Sequence, residues 1–229
     1  MKTIQFFFVF FCACLCANTN LSVITYLAKD SEIMDANFPK ELKECKQILV
    51  IDGPADPSRQ YPGFDTIIRC KSKLYDGKAV AMALQEINTP FFFLHYNGNQ
   101  FISSVDVSGI IETMQLNCAI KHVRLNHKSN TMGQFRDIHI DENIQGDVQV
   151  PLLRVFDWAT CDHFSSTSHY KNQILSLLLW PWPVESFLSE RMQFGLRKKP
   201  NNHSQYGTYL YGKYGDGPII LRTPAVETP

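Results

Sequence analysis

Three polar clusters in this 229-residue chain carry side chains able to do chemistry. Asp52, in Asp52-Gly53-Pro54, follows the apolar run Gln47 to Ile51. A carboxylate at the end of a buried strand can accept hydrogen bonds from a nucleobase or a ribose hydroxyl, although Asp-Gly also makes ordinary turns. Gly77-Lys78-Ala79 opens a run of small residues, where helix N–H groups and an ammonium could together face an anion; a solvated lysine beside a helix start is the plainer reading. It is not a Walker motif, which needs Ser or Thr where Ala79 stands and a further upstream Gly. His95 to Gln100 (HYNGNQ) follows the aromatic run Pro90 to Leu94, and ligands in open α/β sheets sit outside the carboxyl ends of strands, so this cluster marks a ligand-binding edge.

The elements that position these clusters can be read from apolar patterning. Leu21 to Ala28 (LSVITYLA) and Gln47 to Ile51 read as buried strands, joined by a helical stretch containing Glu32 to Met34 and Glu41 to Lys46 that Pro39 divides. Strand Asp65 to Cys70, helix Gly77 to Ile87, strand Pro90 to Leu94, helix Asp106 to Leu116 and strand Ala119 to Leu125 continue the alternation, with Asp106 as helix cap. Such alternation gives an α/β fold with a mostly parallel sheet and right-handed crossovers. Beyond Asn126 the pattern loosens: His127 to Asp147 reads as loop or hairpin, Val148 to Val155 as a strand, and His163 to Leu179 and Val184 to Phe194 as helices. Between these helices lies Trp180-Pro181-Trp182-Pro183, whose indoles could stack on sugar rings or plug the core.

Composition narrows the partners. Lys plus Arg and Asp plus Glu both number 22, and no basic block exceeds Arg197-Lys198-Lys199, which argues against nucleic acid. Lys2 and the 12-residue apolar run Phe6 to Ala17 read as a secretory signal peptide; the run is shorter than the ~17–25 residues of a membrane span. An uncleaved anchor over 4–17, the one expected membrane contact, is the second reading, and a buried strand the third. Cleavage would leave residues 18–229 as one domain, secreted or held in the lumen of the endoplasmic reticulum or Golgi. Cys45, Cys70, Cys118 and Cys161 would remain, with no Cys-x-x-Cys pair to suggest thiolate zinc; one or two disulfides, or four free thiols, stay open. Asn20-Leu21-Ser22 and Asn202-His203-Ser204 fit the N-glycosylation pattern.

The order of LSVITYLA, QILVI with IDGP, the GKAVAMAL helix start and the aromatic strand before HYNGNQF resembles the nucleotide-sugar-binding half of GT-A glycosyltransferases, family 2-like. Downstream, LLRVFDWATCDHF, HYKNQIL and GTYLYGKYGDGPIIL are similar to segments of a branch that carries E-H-D-W after the fourth strand, then W-S-D-x-x-H, and a G-T-Y-L-Y-G tail ending in H-L-D-G. The resemblance covers about Leu21 to Leu221. It implies the GT-A (nucleotide-diphospho-sugar transferase) Rossmann-like fold, and transfer of a sugar from a UDP- or GDP-sugar donor to a glycan or other hydroxyl acceptor. Asp52, Gly77, Lys78, His95, Asn97 and Arg222 are its donor-binding residues.

Departures from the family pattern fall at acidic positions. Asn97 replaces the metal-binding Asp and His95 the preceding Glu; Thr160 stands at the Asp of the second motif, where Trp158 and His163 match; Leu221-Arg222-Thr223-Pro224 replaces H-L-D-G. Mn²⁺ or Mg²⁺ wants carboxylates, so no metal ligand is assigned, and Lys78, Arg154 and Arg222 become the candidates for neutralising a diphosphate leaving group. A base for the acceptor hydroxyl would be Glu185, Asp162 or His163, with Glu185 first; its alternative is plain stabilisation of a first helical turn. For chemistry the lost carboxylates favour a degenerate relative that binds nucleotide or glycan without transfer, while Asp52 and the Gly-Lys turn favour donor binding in either case. His122 and His139 read as polar groups of strands, and His163 and His169 as lying on different faces of one helix.

Overall fold

The computed structural model describes residues 20–30, 32–131, 138–139, 149–159, 161–177 and 184–222, with the side chains of 138, 139, 184–186, 197, 200 and 222 outside that description. Strand β1 (Leu21–Leu27) is buried along its whole length, as a near-continuous apolar strand covered on both faces must be. It lies between β2 (Lys46–Ile51) and β4 (Phe91–Tyr96), both parallel to it, and β3 (Thr66–Arg69) pairs parallel with β2 at the edge. Helix α1 (Lys40–Lys43) is one turn with Pro39 at its N-cap, so Pro39 starts the helix rather than dividing a longer one, and Glu32 to Met34 is not helical.

Helices flank both faces because successive strand residues point to opposite sides. Helix α2 (Tyr75–Gln85) lays Ala79, Val80, Ala83 and Leu84 on the face with Ile24, Val50 and Phe92. Helix α3 (Val107–Leu116) lays Ile110, Ile111 and Met114 on the face with Val23, Phe93 and the strand β5 (Asn99–Phe101) residue Phe101. Asp106 caps α3 as expected, its Oδ1 accepting from Gly109 N at 2.7 Å.

The second half of the sheet differs from its sequence reading. After β6 (His122–Arg124), β7 (Ile138–His139) and β8 (Leu152–Val155), the segment His163–Ser166 forms strand β9, where a helix over His163 to Leu179 was expected. Helix begins only at α4 (Thr167–His169) and continues through π-helical Tyr170–Ile174 into α5 (Leu175–Leu177). Tertiary pairing overrides the local pattern: β9 inserts antiparallel between β4 and β6, and Phe164 packs on Phe93 at 4.6 Å between ring centroids. Helix α6 (Val184–Lys198) matches the expected helix, and after α7 (His203–Tyr206) the Gly- and Tyr-rich tail supplies β10 (Thr208–Tyr211), parallel to β6. Gly207 makes that turn at φ 59°, where an added Cβ would strike Ala119 O.

The central sheet runs β3-β2-β1-β4-β9-β6-β10-β8-β7, and β11 (Ile220–Arg222) pairs antiparallel with β5 in a second, two-stranded sheet. Following the pairings among the described residues, β8 and β9 run against the other seven strands, so the sheet is mostly parallel. Cys45, Cys70 and Cys118 are free thiols, and no described helix is long and apolar enough to cross a membrane.

Candidate functional site

The carboxyl ends of β1, β2 and β4 meet the start of α2. Asp52, 1 % exposed, follows β2; its Oδ2 accepts from Tyr26 OH at 2.7 Å and its Oδ1 from Leu74 N at 2.5 Å. The carboxylate thereby ties β1 to the residue before α2. Burial, reinforced by the bond to Asp52, pushes the Tyr26 phenol far above its usual range. Tyr75, the first residue of α2, has φ 63°, a left-handed conformation uncommon for a bulky side chain. Asp76 is buried next to it: its Oδ1 accepts from Gly77 N at 2.8 Å, and its Oδ2 accepts from Tyr96 OH at 3.4 Å. The Gly77 N–H expected to face a ligand anion thus already meets a carboxylate, while Lys78 is exposed.

A second polar network closes the end of β4. His95 is buried with its Nδ1 2.6 Å from Asp162 Oδ2, the ring donating; Asp162 Oδ1 accepts from Asn99 Nδ2 at 2.7 Å and Tyr96 N at 3.1 Å. Asp162 comes from the residue before β9, so the antiparallel insertion brings a carboxylate under the β4 edge. His95 packs edge-on to Phe38 and borders a cavity of about 280 Å³ with Thr25, Phe38 and Phe64. One residue beyond β4, Asn97 clasps another segment: Oδ1 accepts from Met34 N at 3.0 Å and Nδ2 donates to Glu32 O at 3.1 Å. Gly98 then turns the chain at φ 97°, a value suited to glycine.

His163 stands apart from both networks. It is 1 % exposed among Phe92, His122, Trp158 and Tyr170, its Nδ1 2.7 Å from Cys161 O. Burial holds its pKa down near 4, so it is neutral at physiological pH. Arg154 lies on β8, six strand intervals from β2, about 29 Å at ~4.8 Å per interval, too far to join Asp52 on one ligand. Arg222 lies opposite Asn99 in the β5–β11 ladder, which brings its backbone beside the Asp162 network. Glu185 lies in the first turn of α6, its side chain outside the described residues, as are Thr160 and Trp180 to Pro183.

The structure therefore unites Asp52 with the α2 start and, separately, His95 with Asp162. Tyr26, Asp76 and Asn99 complete these networks and were not singled out from sequence. Asp76 did carry a signal, an acid directly before Gly77-Lys78, whereas Tyr26 and Asn99 read simply as strand residues. At the position where the family resemblance implies a divalent metal, Asn97 has both ends of its amide engaged by the backbone and offers no carboxylate. Among the described residues no group of three His, Cys, Asp or Glu is placed to hold a metal, so the residues present do not fit Mn²⁺ or Mg²⁺ there.

A mostly parallel sheet covered by helices on both faces, with a carboxylate and a helix start at the strand ends, defines a Rossmann-like α/β architecture. More narrowly, the chain has the GT-A glycosyltransferase fold. It is similar to residues 1-349 of TarS from S. aureus, with TM-score 0.52 and 12 % identity over 89 % of this chain and 60 % of that one. GalNAc-T7, crystallised with UDP, GalNAc and Mn²⁺, gives TM-score 0.51 and 10 % identity over 84 % of this chain and 42 % of that one. The chain thus spans less than two thirds of these solved chains, and at such identities the likeness is one of fold. No protein-family model and no curated protein matches the sequence.

Proposed function

We propose that this chain binds a nucleotide-sugar donor, a UDP- or GDP-sugar, at the carboxyl edge of β1, β2 and β4 and transfers the sugar to a glycan or other hydroxyl acceptor. The observation that carries the reading is Asp52 beside the start of α2 at that edge of a GT-A fold. GalNAc-T7, of the same fold, binds UDP and GalNAc with Mn²⁺, which supports the class of ligand. In this reading Lys78 and Arg222 neutralise the leaving diphosphate without metal, and Glu185 takes the acceptor proton. Asp162 and His163 are 0 % and 1 % exposed, and Asp52 and His95 each 1 %, so in this reading they act from beneath the edge: Asp162 positions His95, and Asp52 positions the start of α2. The setting is the secretory lumen or the exterior, reached through the amino-terminal apolar run.

A second reading, donor binding without transfer, is favoured by the Asn97 clasp on Glu32 and Met34 in place of an acidic motif. The discriminating experiment supplies UDP-glucose, UDP-GalNAc and GDP-mannose with a mixed oligosaccharide acceptor pool and measures nucleoside diphosphate release. Release above the acceptor-free rate supports transfer. Saturable calorimetric binding without release supports the second reading, and neither signal removes both.

A further inference from the structure

Of the chain's two N-glycosylation patterns, the fold buries one and displays the other. Asn20-Leu21-Ser22 runs into β1, an interior strand of the central sheet. Asn20 O accepts from Phe91 N at 3.1 Å, and Leu21 and Ser22 are 1 % and 0 % exposed. Ser22 Oγ accepts from Thr89 Oγ1 at 3.0 Å, so the hydroxyl that completes the acceptor pattern is committed to the core. Asn20 also stands only three residues beyond Ala17, where the apolar amino-terminal run ends.

Asn202-His203-Ser204 has the opposite setting. Asn202 closes the 3₁₀ turn Pro200–Asn202 between α6 and α7, is exposed, and makes no capping bond with its side chain. Asn201, Ser204 and Gln205 beside it are exposed too. The middle residue anchors the turn: buried His203 places its Nε2 3.0 Å from Val155 O and 2.9 Å from Thr208 O, on β8 and β10. A rigid surface turn of this kind keeps a bulky hydrophilic chain in water without disturbing the core, the setting an acceptor asparagine needs.

We propose that Asn202, rather than Asn20, carries an N-linked glycan. In that modification Asn202 Nδ2 bonds to the anomeric carbon of a lipid-diphosphate-linked oligosaccharide and gives up one proton. The bond from that carbon to the phosphate oxygen breaks, and the lipid diphosphate leaves with its electron pair. The modification requires the secretory entry proposed above. It does not obstruct the donor edge, because β10 runs in the direction of β6 and β4, and the turn before it lies at their amino ends.

The test expresses the full chain in cells with a secretory pathway, digests the product with peptide N-glycosidase in heavy-oxygen water, and maps the peptides by mass spectrometry. Removal of a glycan leaves a heavy-oxygen aspartate at the modified position. That label is expected at Asn202 and not at Asn20. The gel shift on digestion should be lost in Asn202→Gln and in Ser204→Ala but kept in Ser204→Thr, which preserves the acceptor pattern. Protection of the chain from protease added to intact membranes reports secretory entry separately. A protected chain bare at Asn202, or any label at Asn20, overturns the assignment alone. A chain left unprotected in the cytosol overturns the assignment together with the secretory setting.

Discussion

The ends of β2 and β4 lie on the same edge of one sheet, yet they hold their polar groups in opposite ways. At β2 the chain's own carboxylate, Asp52, sits at the strand terminus and bonds Tyr26 and Leu74. At β4 the strand ends in an amide, Asn97, and the nearest acid, Asp162, arrives from the segment before β9 and sits beneath His95. The acid beside the β4 end lies inward, where it accepts from His95, Asn99 and the Tyr96 N–H rather than facing solvent.

The most damaging way to break this contrast is Asp162→Ala. It would leave the His95 ring, the Asn99 amide and the Tyr96 N–H without their acceptor in a buried site, a loss of roughly 3–5 kcal/mol in urea unfolding. An unchanged midpoint would show that the β4 network bears no stability. Acid should act next, through His163. Its folded pKa near 4 lies below the unfolded value near 6.5, so the unfolded chain binds the extra proton and stability falls as pH drops from 6.5 to 4. His163 contributes on the order of 3 kcal/mol of that loss by pH 4, and His163→Gln should lessen a slope shared with buried His122 and His169 in a pH series of denaturant melts.

Asp52→Asn tests the β2 end more gently. One of the two donors, Tyr26 OH or Leu74 N, would then face an amide N–H, costing about 1–3 kcal/mol by the same unfolding measurement. The smallest effect belongs to Asn97→Ala. Freeing Met34 N and Glu32 O, which are near the surface, should cost about 1 kcal/mol, read as faster amide exchange confined to residues 32–36. Exchange that rises at β1 instead would mean that Asn97 holds the sheet rather than the segment.

The first half of the fold was legible because β1, β2 and β4 are apolar on both faces and alternate with helices whose small or apolar stripes repeat at helical spacing. The second half was not, since β9 is four residues whose Ser-rich sequence has no strand pattern of its own and pairs only because β4 and β6 flank it. Asp52 and the start of α2 were found because their places follow from the strands they terminate. The Asp162–His95 pairing depends on that antiparallel insertion, 67 residues away in sequence, and no local spacing could reveal it.

Calorimetric titration with UDP- and GDP-sugars, run once with Mn²⁺ and once with a chelator, bears most directly on the proposed nucleotide edge, where the β4 end carries Asn97 in place of a carboxylate. The expected result is saturable binding of one donor class with a Kd that agrees within about twofold between the two conditions, weakened ~10-fold or more by Lys78→Ala. Binding that appears only with Mn²⁺, or no binding of any nucleotide sugar, would contradict it.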